Sequence, residues 1–442
     1  MTETSGSGIR TQVIGTDLSS KTTRGVFGGR EQAIDSAVYR GAIDRMAILP
    51  STDHKVAIYI HLPFCPTQCM SCDRVAVITH SKAAIDDYLT TLDLEMSLVS
   101  KRLGRSWELS QVLVGGGTPN YLADAQLARV AAMIERHFEV TQDTRMAIEC
   151  NPSRTSQGQL ALIRGLGFKE LRFEMREIDP LAQSALGRSH SPELLQDTAE
   201  NARRSGIERL SFELAFGLPN QTRESLRHSM SWLMELGPDE VVCSEFVRQE
   251  QIFENQRMLD PASLPRLSEK MTLFSTMMDV LDEAGYVWLG PRTFVKANDP
   301  MVTARQDGML FQNRLGYTSA LDHWVLGFGI GAVSELPVLL AQNATDVTDW
   351  RSAVLAGDHP AESGVRLSLS ESRERIAFAN LGAHLSVSIA DITTPLGVDL
   401  VRRLIEADLL SVSNEVARLN ELGRQNWQYI VEASEDLWWL AV

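Results

Sequence analysis

From about residue 55 onward the sequence keeps returning to one unit: a short run rich in β-branched and aromatic residues, then a stretch with apolar residues at three and four spacing. The runs are KVAIYIHLPF, QVLVGGG, MAIEC, ELRFEM, RLSFELAFGLP and EVVCSEF, and a helix-like stretch follows each. Few folds accept that pattern. Strands joined by long helical crossovers pair parallel, with right-handed connections. The fold class is therefore α/β: a curved (β/α)6 sheet, open or partly closed, over residues 51–290. Function is expected beyond the carboxyl ends of its strands, where strand-to-helix loops and helix N-termini converge. In IDDYLTTLDLEMSLVSKRL, Ile85, Leu89, Leu92 and Met96 form the apolar stripe of one amphipathic helix.

The flanking regions differ. Roughly the first 25 residues are rich in Ser, Thr and Gly and fit a mobile tail, within an N-terminal tail and helical segment over residues 1–50. Residues 291–365 are punctuated by Gly, Pro and Asp, which predicts irregular structure packed on the sheet. Residues 366–442 mix helical periods with a β-like LLSVSNEVARLN, a small helical domain with one hairpin. At 44% hydrophobic residues the chain can bury a sizeable core. A net charge of −15 argues against general nucleic-acid binding, while a local basic pocket for an anionic substrate stays open. No run of about 18 apolar residues is present and the N-terminus lacks a secretory pattern, so no membrane span and a cytoplasmic, reducing setting are expected.

Five cysteines make an odd and sparse count, unlike a disulfide framework. Three of them sit in CPTQCMSC, residues 65–72, with Cys65-x3-Cys69-x2-Cys72 spacing tight enough for the sulfurs to face a common centre. Cys150 and Cys243 read as plain buried thiols. Thiolates select zinc or an iron–sulfur cluster. Structural zinc wants four protein ligands and would have to recruit His61 or His80; a cubane held by three cysteines leaves one iron free. The next strand ends in Gly115-Gly116-Gly117-Thr118-Pro119, and consecutive glycines at a strand end let the backbone approach a ligand closely.

YIHLPFCxxxCxxC, GGGTPNYL, IECNP and FGLPNQT, in this order and each at a strand end, resemble the radical S-adenosylmethionine (SAM) enzymes. Within these the chain is similar to the oxygen-independent coproporphyrinogen III oxidase (HemN) family over nearly everything beyond residue 50. The resemblance implies a partial (β/α)6 barrel with a [4Fe-4S] cluster, and a winged-helix-like C-terminal domain covering that cluster. It implies SAM chelated to the open iron and cleaved to a 5′-deoxyadenosyl radical. The reaction implied is oxidative decarboxylation of coproporphyrinogen III to protoporphyrinogen IX in anaerobic haem biosynthesis, with electrons from a flavodoxin- or ferredoxin-type donor. Position by position, Cys65, Cys69 and Cys72 would hold the cluster, with Tyr59 and His61 beside the reacting centre. Tyr59, Ser71, Gly116, Gly117, Thr118, Glu149, Arg176, Arg188, Glu213, Val247 and Val333 fall where the family binds SAM.

Several positions depart from the oxidase pattern. Ser71 replaces an aromatic residue, Arg176 a glutamine and Glu213 an aspartate; GPRTF at 290–294 stands where the oxidase has an Asp-His pair. Arg176 is left two readings, an anionic substrate or an ion pair with Glu174 or Glu213. The departures keep a second enzyme in view, a HemN-like methyltransferase or cyclopropane-forming enzyme on another substrate. A haem chaperone is a third reading, against which the chain's extension to Trp438 and Trp439 counts.

Overall fold

A computed structural model describes Phe27 and residues 30–48, 55–104, 106–188, 190–290, 292–320 and 324–426. The expected N-terminal tail, Pro291 of GPRTF, and Trp438 and Trp439 lie outside the described residues. Six parallel strands form the centre: β1 (Val56–Leu62), β2 (Leu109–Gly116), β3 (Arg145–Cys150), β4 (Glu170–Arg176), β5 (Arg209–Phe216) and β6 (Glu240–Glu245). They lie side by side in chain order, each joined to the next through at least one helix. The six expected strand-and-helix units are all present.

Alternation along each strand separates two environments. Ile58, Ile60 and Leu62 of β1 join Val112, Val114, Ile148, Leu171, Phe173 and Phe212 in the main core beneath the helices. The alternate residues Ala57 and Tyr59 meet Leu113 and Ala147 on the concave face. Helix Lys82–Leu103 delivers its stripe to the main core, with Ile85, Leu89, Leu92 and Met96 all buried. Ser81 caps its start by accepting from Ala84 N, and Gly104, at φ 71°, ends it.

The region read as irregular is sheet. Val325–Phe328 pairs parallel with β1, and Val333–Leu336, Leu339–Asn343 and Ala361–Arg366 follow antiparallel. On the other side Thr293–Lys296 and Tyr286–Gly290 add antiparallel to β6, and with Gln32–Ala33 at the far edge beside Ala361–Arg366 one sheet holds thirteen strands. The glycines that suggested breaks serve close approach: a Cβ on Gly327 would lie 2.5 Å from the Val333 carbonyl oxygen.

A hairpin, Phe311–Asn313 with Gly316–Thr318, closes the barrel from the amino ends of the strands. Its Leu315 packs among Ala57, Leu113, Ala147 and Val325. Arg145 and Arg172 donate to the carbonyls of Tyr317 and Leu315, at 2.7 and 2.9 Å. At its end the described chain forms helices Leu369–His384 and Pro395–Glu406 and a three-stranded sheet with Val416–Leu419 in the middle. The expected hairpin is there, joined by a third strand, Ser386–Ser388. This unit packs on the plugging hairpin and on Tyr286–Gly290; among the described residues none of its hydrogen bonds reaches the cysteine loop. Residues 427–442, the rest of the unit expected to cover the cluster, lie outside the described residues. No described helix is long and apolar enough to cross a membrane.

Candidate active site

β1 runs directly into the cysteines. The short strand Phe64–Cys65 pairs parallel with Val77–Ile78, which pins both ends of the loop that carries Cys69 and Cys72. From far along the chain, the Asn255 side-chain amide donates to the carbonyls of Cys69, Met70 and Cys72, at 3.1, 3.1 and 2.9 Å. Gln256 adds a bond of 3.2 Å to the Cys72 carbonyl. This clamp has no sequence signature. Asn255 sits in a plain run, FENQRM, and acquires its role only through the chain path.

The three cysteines line one small cavity of about 180 Å³ together with Gly116, Gly117, Thr118, Arg176 and Arg188. The Thr118 hydroxyl lies 3.3 Å from Cys65 Sγ, and Arg188 Nε donates to Cys69 Sγ at 3.4 Å. Burial raises the Cys65 thiol and pushes Cys72 up to about 11. Among the described residues, no three His, Cys, Asp or Glu groups are placed to share a single ion. A cubane asks for less, since each cysteine takes its own iron. The two histidines a zinc reading would recruit are engaged: His80 Nδ1 meets the Tyr121 hydroxyl at 3.0 Å, and both His61 nitrogens are taken.

His61 has a defined tautomer. Its Nε2 faces the Val75 carbonyl at 2.8 Å, which can only accept, so Nε2 carries the proton. Nδ1 then accepts from the Tyr59 hydroxyl at 3.0 Å. Burial pushes His61 down to about 4, which keeps the ring neutral. Tyr59 and His61 open onto a larger cavity of about 460 Å³ on the concave face, which also reaches Glu149, Glu213, Val333 and Arg314.

Gly116 and Gly117 line the small cavity, and all three glycines of 115 to 117 also allow close packing within the protein. A Cβ on Gly115 would lie 2.7 Å from the Glu149 carboxylate, one on Gly116 2.8 Å from His61 Nδ1, and one on Gly117 2.7 Å from the Pro63 carbonyl. The room they leave is filled by the protein's own groups. Only Gly116, at φ 116°, is also held in a conformation that favours glycine. Their bareness brings β1, the cysteine loop and Glu149 together, and Gly116 N donates to Glu149 at 3.0 Å.

The charged residues are extensively paired. Arg74 Nη1 donates to both Glu149 oxygens, at 2.9 and 2.8 Å. Glu174 is a hub: it accepts from Arg176 Nε at 2.6 Å and from Arg188 Nη2 at 2.7 Å. Burial pulls Glu174 upward, but Arg176 and Arg188 outweigh it and hold the carboxyl well below the usual range. Arg176 also reaches Asp73 at 3.2 Å, so its ion pairs are with Glu174 and Asp73 rather than Glu213, while it lines the small cavity. It sits at a bulge in the β4–β5 pairing with φ 58°, a strained geometry for a residue with a side chain. Burial, then the neighbouring Glu174, raises Glu213.

Two expected residues stand apart from a polar contact. Ser71 lines the small cavity and is buried, yet its hydroxyl has no hydrogen-bond partner. Val247 is 47% exposed and lines neither cavity. Arg74, Asn255 and Arg314 were not anticipated; only Arg74, two residues after Cys72, lay close enough in sequence to be suspected.

A three-thiol loop at the carboxyl end of the first strand of a parallel α/β barrel defines a class, and residues 59–233 match the model of the radical SAM superfamily. The chain carries a radical SAM domain. Within that class it is similar to the oxygen-independent coproporphyrinogen III oxidases. That of Pseudomonas aeruginosa is 28% identical over 348 residues, 78% of this chain and 76% of that protein. The Helicobacter pylori oxidase is 26% identical over 379 residues, 83% of each. Among solved structures, coproporphyrinogen III oxidase (HemN) from Escherichia coli superposes with a TM-score of 0.81 at 25% identity, covering 90% of this chain and 93% of that one.

Proposed function

We propose that this chain is a radical SAM oxidoreductase of the HemN type, acting on coproporphyrinogen III. The observation that carries the reading is the placement of three thiols on one clamped loop, beside a larger cavity lined by Tyr59 and Glu149. The donor set fits a cluster: three soft ligands line one cavity, with the Arg188 cation against Cys69 to offset thiolate charge. When bound, a [4Fe-4S] cluster and SAM supply reductive carbon–sulfur cleavage and hydrogen-atom abstraction. In the oxidase reaction each of two propionates loses that hydrogen, carbon dioxide and one electron, leaving a vinyl group.

The chain's own residues supply binding and orientation. Cys65, Cys69 and Cys72 hold the cluster. Glu149 is suited to accept from the ammonium of SAM, and must then share or exchange its present partner Arg74. Arg188 sits where a guanidinium can meet a carboxylate while still bridging to Glu174. Tyr59 and neutral His61 form a fixed hydrogen-bonded pair beside them. Residues 51–290 act as the catalytic core in this reading, with 1–50, 291–365 and 366–442 built around it. A flavodoxin- or ferredoxin-type donor and a reducing, cytoplasmic setting suit the five free cysteines.

Ser71 with its unpartnered hydroxyl, the paired Arg176 and the outlying Val247 favour a second reading: the same radical chemistry with another acceptor, as in HemN-like methyltransferases or cyclopropane-forming enzymes. One anaerobic assay separates the two. Reconstituted protein with reductant, SAM and coproporphyrinogen III should form 5′-deoxyadenosine and protoporphyrinogen together. 5′-Deoxyadenosine without any vinyl product favours the second reading, and no SAM cleavage by cluster-loaded protein sinks both.

The Asn255 clamp gives a sharper expectation. N255A leaves three loop carbonyls without their shared donor, a cost of about 1–3 kcal/mol felt at the loop. Reconstituted iron per chain should fall while the far-ultraviolet circular dichroism stays native. Full iron content with an unaltered cluster electron paramagnetic resonance spectrum would show that the clamp does not organise the loop.

A further inference from the structure

The plugging hairpin pushes two residues into the barrel, and only one of them is accounted for. Leu315 is apolar, enclosed and held at both ends: its N–H donates to Asn313 at 2.8 Å and its carbonyl accepts from Arg172 at 2.9 Å. Beside it Arg314 lines the larger cavity. Arg74 and Arg172, the other arginines of that lining, are paired with Glu149 and Glu170. Arg314 has no ion pair within 4.0 Å among the described residues, and its Nη1 is sealed from water without a hydrogen-bond partner. Glu335 exerts the strongest opposing field on it, but Arg375 holds that carboxylate at 3.4 Å. Burial lowers Arg314 from its ordinary value, yet an arginine stays charged inside proteins.

A half-buried cation with no ion pair among the described residues and its Nη1 sealed from water costs stability, and the fold could have put an apolar residue there as it did at Leu315. Of the acids in the lining, Glu149 and Glu174 already accept from Arg74, Arg176 and Arg188, Asp73 pairs with Arg176, and Glu213 makes no ion pair with Arg314 among the described residues. What remains is the space itself. We propose that Arg314 forms an anion subsite at the floor of the cavity, pairing with a carboxylate of the molecule that fills it. Resting on the functional reading above, that carboxylate is a propionate of the tetrapyrrole, held at the amino-end floor while the opposite end faces the cysteine loop. The planar guanidinium suits a carboxylate through two parallel bonds, which a lysine cannot fully reproduce. The SAM carboxylate is the other source of the same chemistry.

The test uses the full-length, cluster-reconstituted chain as wild type, R314M and R314K. Coproporphyrin III, the stable oxidised form of the substrate, is titrated by fluorescence quenching, and SAM by equilibrium dialysis. R314M should bind coproporphyrin III on the order of tenfold to a hundredfold more weakly, with R314K between, and with SAM affinity unchanged. A loss confined to SAM would keep the subsite and assign it to that carboxylate. Unchanged affinity for both overturns it. If the wild-type chain binds no coproporphyrin III, the functional reading fails on its own, and the SAM arm alone decides the subsite. A melting temperature supplies an independent check: R314M should melt at or above wild type because it removes a half-buried charge that has no ion pair among the described residues. A clear fall would mean that the guanidinium is structurally paired, and would equally overturn the proposal.

Discussion

Replacing Cys69 by alanine is expected to abolish SAM cleavage, by a hundredfold or more (on the order of 3 kcal/mol), while the protein stays folded. The thiol lies on a half-buried loop, and its described side-chain contact is the Arg188 Nε bond of 3.4 Å. Arg188 retains Glu174 through two other bonds, at 2.7 and 3.1 Å, so truncation should cost about 0.5 kcal/mol or little more. Function is far more exposed. With two cysteines left, two irons of a cubane lack protein ligands, and His61, close by in sequence, already has both ring nitrogens engaged. Iron and acid-labile sulfide per chain, measured after anaerobic reconstitution beside 5′-deoxyadenosine formation, check this. C69A with wild-type iron content and SAM cleavage would remove the cysteine loop from the chemistry.

The largest expected effect on stability is at Glu170, deep in the concave face. Its carboxylate accepts from Arg145 at 2.8 Å and Arg172 at 3.1 Å, with Arg209 at 3.8 Å, and Arg209 is further tied to Glu240 and Asp299. E170A leaves three half-buried arginines facing one another without their shared anion, which should destabilise the chain by about 3–5 kcal/mol. The same arginines hold the hairpin carbonyls, so loosening should spread to the plug. Burial raises Glu170, but Arg145, Arg172 and Arg209 together lower it below the ordinary carboxylate value. A depressed folded-state value means that the contribution is fully present above about pH 4.3, the unfolded value. It is lost as pH falls below that toward the folded value. Wild-type urea midpoints should therefore drop on acidification below about pH 4.3, and E170Q should flatten that limb. An acid limb equally steep in E170Q would show that Glu170 is not its source.

How much of this could be read from the sequence depends on how local the cause is. The six strands and their helices were legible because alternation and three-and-four spacing are printed in consecutive residues, as in VAIYIHL and the Ile85 to Met96 stripe. The strands after residue 320 were not, because Gly327 and Gly364 look like breaks until a neighbouring backbone is seen against them. At the site, the cysteine trio and Glu149 were found from motif order. The fate of Arg176 was open because Glu174, two residues away, and Asp73, far away in sequence, compete for it only once β4 and the loop are side by side.

By itself, then, the sequence determined the kind of fold and the presence of three soft ligands at a strand end, since hydrophobic period and thiol spacing are properties of neighbours along the chain. Tertiary structure alone decided which charges are spent and which are free. Arg74 is committed to Glu149, Asn255 reaches across to clamp the cysteine loop, and Arg314 is left at the cavity floor without an ion pair among the described residues. These ion pairs and shared donors are set by distances between residues tens to hundreds of positions apart, and in a low-dielectric interior each such distance fixes whether a charge is satisfied.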